Sequence, residues 1–451
     1  MFAWTPVAAL LLPRSGAFFL APLLSGVAAV FSSMLHVVLD LPILLFWAFL
    51  TIFCVAAVFI VPGLRSASRK NIAGTLRSRI DGMCLLIFGA GSVAALISTP
   101  APLGWDARSM WFAIPSYLNG PAEQYLTAQQ GGAQTGWVDY PLFGPGSLAT
   151  LWQIMGVSEN LWSGSRLYAL IGISIVALIG YMLITKYGSD KNIYFVTFAF
   201  AGLVSSGFFL GGGINTGYMD TIQGLLVSAT LTSSLIWSRD AVAKSSALVG
   251  VVSIAAMNAK QEGFWFVLLV LSVVLVIYLI QRQFWFLLAL VPFTAGRFLW
   301  VSFSDYVNMP ESGSTSGLTT RIPELLNQNS LAWEILPKIL FEWFIPQNGV
   351  VFIFFLLAVA ALLVANKTSS IRASPFDGFV FLVVGLGILI IIFVTYSLGD
   401  AGDRIDWWLG TSYSRITASF KSVVWTTVFA LVLLNLPSRK LPERNPLTKE
   451  K

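Results

Sequence analysis

Long apolar segments recur along the whole chain and constrain its fold more than any other feature. They are about 17 to 24 residues long, and a helix needs about 20 residues to cross the roughly 30 Å hydrocarbon core of a bilayer. Of the 451 residues, 56% are hydrophobic and 11% are charged, which is too apolar a composition for one soluble core. The sequence therefore predicts an all-α polytopic membrane protein.

We predict about twelve transmembrane helices, at 16–39, 41–61, 82–98, 163–185, 192–210, 219–237, 243–257, 264–280, 284–303, 350–364, 376–396 and 416–436. Residues 1–80 contribute two of these helices and a basic cytoplasmic loop. Residues 81–436 form the membrane core with two long external loops, 100–162 and 304–348. Amphipathic stretches at 107–118 and 147–155 predict interfacial helices in the first of these loops. Residues 437–451 are a basic tail.

The distribution of charge predicts the orientation of the chain. If the N-terminus is cytoplasmic, 18 of the 27 Lys and Arg but only 6 of the 21 Asp and Glu lie on the cytoplasmic side. This asymmetry follows the positive-inside rule, so we expect a multi-pass protein of the bacterial cytoplasmic membrane with both termini inside. The formal charge of +6 then reflects orientation, and no nucleic-acid partner is indicated.

Several classes of site are disfavoured by the residues present. Cys54 and Cys84 fall within predicted spans and are expected to be unpaired packing residues, and His36 is expected to be buried and hydrogen-bonded. The chain has no zinc-binding spacing of Cys and His. It also lacks a Walker-type phosphate loop, so energy from cytoplasmic ATP is not indicated.

Seven charged residues stand inside or beside apolar segments, and all map to the external side of the predicted topology. Ions near hydrocarbon are costly unless they are paired, hydrated or functional, so their collection on one side indicates an active site. These residues are Asp106, Arg108, Asp139, Asp220, Lys260, Glu262 and Arg415.

Five of these residues also have a simpler interpretation. Asp106 would cap the helix that follows it. Asp220 would sit in the hydrated headgroup layer, although the glycines before it allow a ligand to approach the backbone. Lys260 and Glu262 would form a solvated turn pair, and Arg415 would extend to the headgroups.

In order along the chain, the motifs resemble those of the GT-C superfamily of polytopic membrane glycosyltransferases, specifically bacterial members related to the arabinose transferase and protein O-mannosyltransferase group. The resemblance covers about two-thirds of the chain and is carried by Trp-Asp-Ala-Arg-Ser at 105–109, Asp-Tyr-Pro at 139–141, Gly-Tyr-Met-Asp at 217–220, Lys-Gln-Glu-Gly at 260–263 and Thr-Ser-Tyr-Ser-Arg at 411–415. Residues 1–80 add two predicted helices before the span that leads into the acidic loop, whereas in the family this loop usually follows the first span. Ala107 replaces the family's frequent second acid, which puts a metal-bridging role in doubt.

The resemblance implies an inverting transfer of sugar from a polyprenyl-phosphate donor to a hydroxyl on a lipid, glycan or protein acceptor, at the external membrane surface. Asp106 would be the general base, and Lys260 and Arg415 would hold the donor phosphate. The other implied substrate-binding residues are Trp105, Arg108, Trp111, Asp139, Tyr140, Tyr218, Asp220 and Glu262. Whether a divalent metal such as Mg²⁺ or Mn²⁺ takes part is left open, as are the sugar and the acceptor.

Two alternatives remain open at this point. A lipid-linked saccharide polymerase or ligase would also use polyprenyl-linked sugars, but such proteins usually place Arg and His in a late external loop, and residues 304–348 contain only Arg321 and Lys338 as bases. A flippase or other transporter of lipid-linked sugar predicts charges within the spans, where Arg297 is the main exception to a nearly charge-free pattern.

Overall fold

The computed structural model describes residues 1–77, 79–98, 112–129, 141–187, 200–202, 219–309, 333, 337–338, 341, 346–368, 375–398 and 417–435. Within these ranges the regular structure is entirely helical. Sixteen α-helices have printed bounds: α1 Thr5–Leu11, α2 Ser15–Leu39, α3 Ile43–Ile60, α4 Pro62–Arg77, α5 Arg79–Ser98, α6 Ala113–Asn119, α7 Ala122–Thr127, α8 Phe143–Met155, α9 Leu161–Tyr187, α10 Met219–Leu235, α11 Val242–Met257, α12 Gly263–Ile280, α13 Leu287–Tyr306, α14 Pro346–Thr368, α15 Pro375–Leu398 and α16 Ala418–Asn435.

Eight helices in the described part are long and apolar enough to cross a membrane: α2, α3, α5, α9, α11 with its preceding 3₁₀ turn, α12, α13 with its preceding 3₁₀ turn, and α15. They define an all-α membrane protein. Three further predicted spans coincide with α10, which has 17 residues, and with α14 and α16, whose apolar parts at Gly349–Val364 and Ala418–Leu434 are shorter. The predicted span at 192–210 falls mostly outside the described residues, so the number twelve stays a prediction.

Helix α10 lies at the centre of the bundle. All 17 of its residues are buried, and it packs against α9, α11, α12 and α16. The hydroxyls of Thr230, Thr232 and Ser233 bond to its own backbone, as in the 2.9 Å bond from Thr230 to the carbonyl of Leu226. Small residues let neighbouring backbones approach closely, and Gly224 lies against the carbonyl of Ala418 in α16. This central position places Asp220, at the start of α10, inside the bundle.

The N-terminal helices pack into the same body. Helix α2 is mostly buried and contacts α8 and α9. It ends where Asp40 adopts a left-handed conformation, and the Asp40 carboxylate accepts a 2.8 Å hydrogen bond from the backbone N–H of Ala122. The segment predicted as a basic loop after α3 forms the helix α4.

The His and Cys residues have the environments expected from the sequence. His36 is buried, and its Nδ1 lies 2.7 Å from the carbonyl oxygen of Leu41. Cys54 is half-buried and Cys84 is buried, and both are free thiols. These predictions are confirmed.

A buried ion pair lies where α9 ends. Lys186 Nζ is 3.1 Å from Asp377 Oδ1 and also donates to the carbonyl of Leu235, while the Tyr187 hydroxyl donates to Asp377 Oδ2 at 2.9 Å. The Asp377 carboxylate is therefore paired and hydrogen-bonded, which offsets the cost of burying it. This contact ties α15 to α9 and to the end of α10.

Candidate functional site

The structure brings three of the predicted site residues together. Lys260 Nζ lies 2.8 Å from Asp220 Oδ1 and 3.5 Å from Glu262 Oε1. Asp220 belongs to the first turn of α10, whereas Lys260 and Glu262 belong to the turn between α11 and α12. All three side chains are at most 13% exposed. We call Asp220, Lys260 and Glu262 the charged cluster.

The charged cluster contains two carboxylates and one ammonium group, so its formal charge is −1. At these distances inside a protein the attraction between opposite charges is strong, and it offsets the cost of removing the ions from water. The Lys260 ammonium is thus engaged by carboxylates. A phosphate approaching Lys260 would also meet the negative charge of Asp220 and Glu262.

The sequence pattern predicted that Lys260 and Glu262 lie in an exposed turn at the membrane surface. In the structure the charged cluster lies deeper in the bundle. The backbone N–H of Phe143 donates a 2.8 Å hydrogen bond to the carbonyl of Asn258, in the same turn as Lys260. The Phe143 ring lies against Gly26, near the middle of α2. Thirteen residues of α2 separate Gly26 from Leu39, which corresponds to about 20 Å along the helix.

Helix α13 gives a second measure of this depth. Gly296 lies against the side chain of Met257, the last residue of α11, so the middle of α13 is level with the α11–α12 turn. From Gly296, α13 continues for ten residues to Tyr306, about 15 Å further. Its Phe303 ring lies 6.4 Å from the ring of Tyr125 in α7. The outer half of α13 therefore rises beyond the turn that carries the cluster.

Helix α8 explains how the long loop reaches this level. The amphipathic pattern predicted an interfacial helix at 147–155, but the helix starts at Phe143, and its first eight residues are buried. Phe143 is level with Asn258, whereas the Gln153 side chain accepts a 2.8 Å hydrogen bond from the backbone N–H of Leu44, at the beginning of α3. Helix α8 thus runs from the interior of the bundle to the Leu39 end of α2.

Eight of the predicted site residues lie outside the described residues: Trp105, Asp106, Arg108, Trp111, Asp139, Tyr140, Tyr218 and Arg415. Some of the described residues near them contact α9 or α10. The ring of Phe112 lies 5.7 Å from that of Tyr168, and Gly144 lies against both Tyr168 and Met219. Ala418 lies against Gly224, one turn after Asp220.

Two polar residues that sequence reasoning missed adjoin the charged cluster. Gln223 and Asn258 are only 1% and 2% exposed. Among the described residues, neither polar atom of the Gln223 amide has a hydrogen-bond partner, and Asn258 Oδ1 and Glu262 Oε2 also lack one there. The signal for Gln223 was its position about one helical turn after Asp220, on the same face of the helix.

Arg297 lies close to this region on α13. Its guanidinium carbon is 4.4 Å from the ring centroid of Phe264, the second residue of α12, and the side chain is half-buried. Within the described ranges Arg297 forms no ion pair with a carboxylate. It therefore differs from Lys260, whose charge two carboxylates balance.

The described residues do not by themselves supply a metal site. No group of three or more His, Cys, Asp or Glu is found among them. Asp220 and Glu262 are the nearest approach to one, and the Lys260 ammonium already contacts both carboxylates.

Substitution of Gly263 tests how tightly the turn is packed. In Gly263→Ala the new methyl group would overlap the carbonyl oxygen of Ala256 and lie 2.8 Å from Gln223 Nε2. We expect a loss of about 1–3 kcal/mol in the free energy of unfolding, because the crowding involves backbone that cannot rotate away. Gly82→Ala, in α5, is the matched control.

Gly82 has open space where the methyl group would go, and alanine favours a helix over glycine by roughly 1 kcal/mol. Gly82→Ala should therefore unfold at the wild-type temperature or slightly above it. Equal thermal stability of the two variants in detergent would show that the turn is loosely packed.

Comparisons of the chain with protein-family models, with curated proteins and with solved structures each find no match.

Proposed function

We propose that the protein is an inverting glycosyltransferase of the bacterial cytoplasmic membrane, with its active site on the external side and both termini in the cytoplasm. The donor is a polyprenyl-phosphate sugar. The acceptor oxygen attacks the anomeric carbon, the bond from this carbon to the phosphate oxygen breaks, and the acceptor proton passes to a carboxylate. Polyprenyl phosphate leaves with the electron pair.

The observation that carries the proposal is the recessed charged cluster. Asp220, Lys260 and Glu262 are nearly buried, and α10, which carries Asp220, contacts Gly144 and Ala418, which follow the charged motifs that end at 141 and 415. Ionisable groups inside a membrane protein commonly mark a site that handles substrate. A recess below the ends of α2 and α13 would shield the reacting groups from bulk water.

The proposed roles follow the chemistry of each side chain. Asp106 is the general base, since a single carboxylate suffices when the leaving phosphate needs little acid assistance. Carboxylates and hydroxyls orient sugar or acceptor hydroxyls, and tryptophans offer faces for stacking. The residues in these supporting roles are Trp105, Arg108, Trp111, Asp139, Tyr140, Tyr218, Asp220 and Glu262.

The structure adds a candidate to the residues that hold the donor phosphate. Arg415 and Lys260 were expected in this role, but carboxylates neutralise the Lys260 ammonium. Arg297 retains an uncompensated positive charge within the described part of the molecule and can bind phosphate through two parallel hydrogen bonds. We therefore assign Arg297 to the phosphate alongside Arg415, and we assign Lys260 to holding the two carboxylates in place.

Replacement of Arg297 tests this assignment. Arg297→Gln should lower kcat/KM for the donor by about 10- to 100-fold, because a fixed cation no longer stabilises the charge developing on the leaving phosphate. Arg297→Lys should retain part of this activity. The matched control is Arg239→Gln, which removes an exposed charge near the opposite end of α11. Wild-type kinetics in Arg297→Gln would exclude a phosphate contact.

A flippase for lipid-linked sugar is the second candidate. The depth of the charged cluster favours it, since transporters commonly place their polar sites near the middle of the membrane. The two functions differ in their products: a transferase breaks the bond between sugar and phosphate, whereas a flippase leaves the lipid-linked sugar intact.

The decisive experiment supplies purified protein with a panel of radiolabelled polyprenyl-phosphate sugars and a membrane extract as the acceptor. We expect label to move from one of these lipids to a new product. If no donor is consumed but intact labelled lipid crosses a proteoliposome bilayer, the flippase is correct and the transferase is excluded.

A further inference from the structure

Helix α4 presents a strongly basic face that the proposed function does not use. Arg65, Arg69 and Lys70 are all exposed. No Asp or Glu occurs anywhere between residues 41 and 80. The nearest acid in the chain beyond this stretch, Asp81, is buried and already accepts hydrogen bonds from the backbone and hydroxyl of Ser15. Within the described residues, none of these three cations forms an ion pair with a carboxylate.

The opposite side of α4 is fixed to the protein. The Ser68 hydroxyl donates a 3.0 Å hydrogen bond to the carbonyl of Pro6, and Asn71 Nδ2 donates a 2.6 Å bond to the carbonyl of Ala9. The Asn71 carbonyl in turn accepts from the backbone N–H of Arg14 at 3.1 Å. Ser68 and Asn71 therefore fix one side of α4 against α1, Arg69 and Lys70 lie away from that side, and Arg65 is exposed at its edge.

The position of α4 along the chain places it at a membrane surface. Helix α3, a candidate span, ends at Ile60, and Val61 alone separates it from α4. Basic residues occupy too much of α4 for it to cross hydrocarbon. Ile60, Val61 and Leu64 are exposed beside the cations, at 76%, 44% and 37%. Exposed apolar groups next to outward-facing cations are typical of a helix that lies in the interface of a bilayer.

We propose that Arg65, Arg69 and Lys70 of α4 form a docking surface for anionic phospholipid headgroups in the leaflet where α3 ends. The phosphodiester groups contact the cations, and the acyl chains contact Ile60, Val61 and Leu64. A membrane surface fits better than a soluble acidic partner, because one residue tethers α4 to the end of a span and exposed aliphatic side chains flank the charges. This proposal is independent of the enzymatic function.

The test measures binding of phosphatidylglycerol to the full-length, detergent-solubilised protein by native mass spectrometry, with phosphatidylcholine as the zwitterionic comparison. Wild type should retain phosphatidylglycerol in preference to phosphatidylcholine, and this preference should fall as salt is raised. Each basic residue near an anionic surface contributes a factor of about five in affinity. The triple variant Arg65→Gln/Arg69→Gln/Lys70→Gln should therefore bind phosphatidylglycerol on the order of 100-fold more weakly.

The matched control removes three basic residues from elsewhere in the chain: Arg239→Gln/Lys244→Gln/Arg282→Gln. It has the same net charge as the first triple variant, and it should retain the wild-type preference. Equal losses in both triple variants would reveal a general effect of net charge and overturn the proposal. Equal wild-type affinity for the two lipids would overturn it as well. If the α4 triple variant does not fold, Arg69→Gln alone should show the roughly fivefold loss, and an unchanged affinity would count against the surface.

Discussion

Asp106→Asn is expected to abolish sugar transfer while the protein stays folded. Asparagine has nearly the same shape as aspartate but cannot accept the proton of the attacking hydroxyl. General-base catalysis contributes about 10²- to 10⁴-fold to a rate, so turnover should fall by at least two orders of magnitude. Donor consumption by purified variant and wild type, together with their melting temperatures, measures both parts of the expectation.

Asp305→Asn is the matched control for this substitution. Asp305 is an exposed carboxylate in the last turn of α13, and it carries no proposed role in the reaction. The Asp305→Asn variant should transfer sugar at the wild-type rate. If Asp106→Asn keeps more than about a tenth of wild-type turnover, Asp106 is not the general base. Consumption of a donor by the wild-type protein would still establish that the protein is a transferase.

The ends of the long helices could be predicted from the sequence because the cost of burying polar backbone and side chains in hydrocarbon acts residue by residue. The span predicted at 16–39 is α2 at Ser15–Leu39, and the start predicted at 219 coincides with that of α10. The meeting of Asp220, Lys260 and Glu262 was also predictable, since each follows or precedes an apolar segment at the same side of the topology.

The depth of the charged cluster could not be predicted in the same way. Hydropathy treats every apolar segment as a full crossing, so it places the polar turn at 258–263 at the surface. The depth depends on contacts between distant residues, such as the Phe143 to Asn258 hydrogen bond and the packing of Gly296 on Met257. These contacts leave no periodic pattern in the sequence.

Tertiary contacts also decide the conformation of the shorter segments. The sequence of α8 has the amphipathic pattern of an interfacial helix, yet its polar residues Ser147 and Thr150 are buried. Their hydroxyls donate hydrogen bonds to the carbonyls of Phe143 and Gly146 in the same helix. A side chain that satisfies its polar group within its own helix can be buried at little cost. Composition alone therefore could not show which face of α8, if any, would meet lipid.

Removal of the Lys260 charge should destabilise the protein strongly. In Lys260→Met the carboxylates of Asp220 and Glu262 would stay buried and would lose the ammonium group that pairs with both of them. Breaking a buried ion pair in this way costs about 3–5 kcal/mol, because an uncompensated charge is left behind. We expect the unfolding midpoint of the detergent-solubilised variant to fall well below that of wild type.

The control for this loss is a lysine in α11, the helix that precedes the turn with Lys260. Lys244 belongs to the first turn of α11 and makes no ion pair within the described ranges. Lys244→Met should change the free energy of unfolding by no more than about 0.5 kcal/mol, as is usual for a partly exposed side chain.

A neutral form of the cluster separates its structural role from its catalytic role. The triple variant Asp220→Asn/Lys260→Met/Glu262→Gln has no ion left to bury, so it should recover most of the stability that Lys260→Met loses. It should still fail to transfer sugar if the carboxylates orient the substrate. Wild-type stability of Lys260→Met would mean that water reaches the carboxylates and hydrates them. A triple variant that is both stable and active would show that the charged cluster has a structural role only.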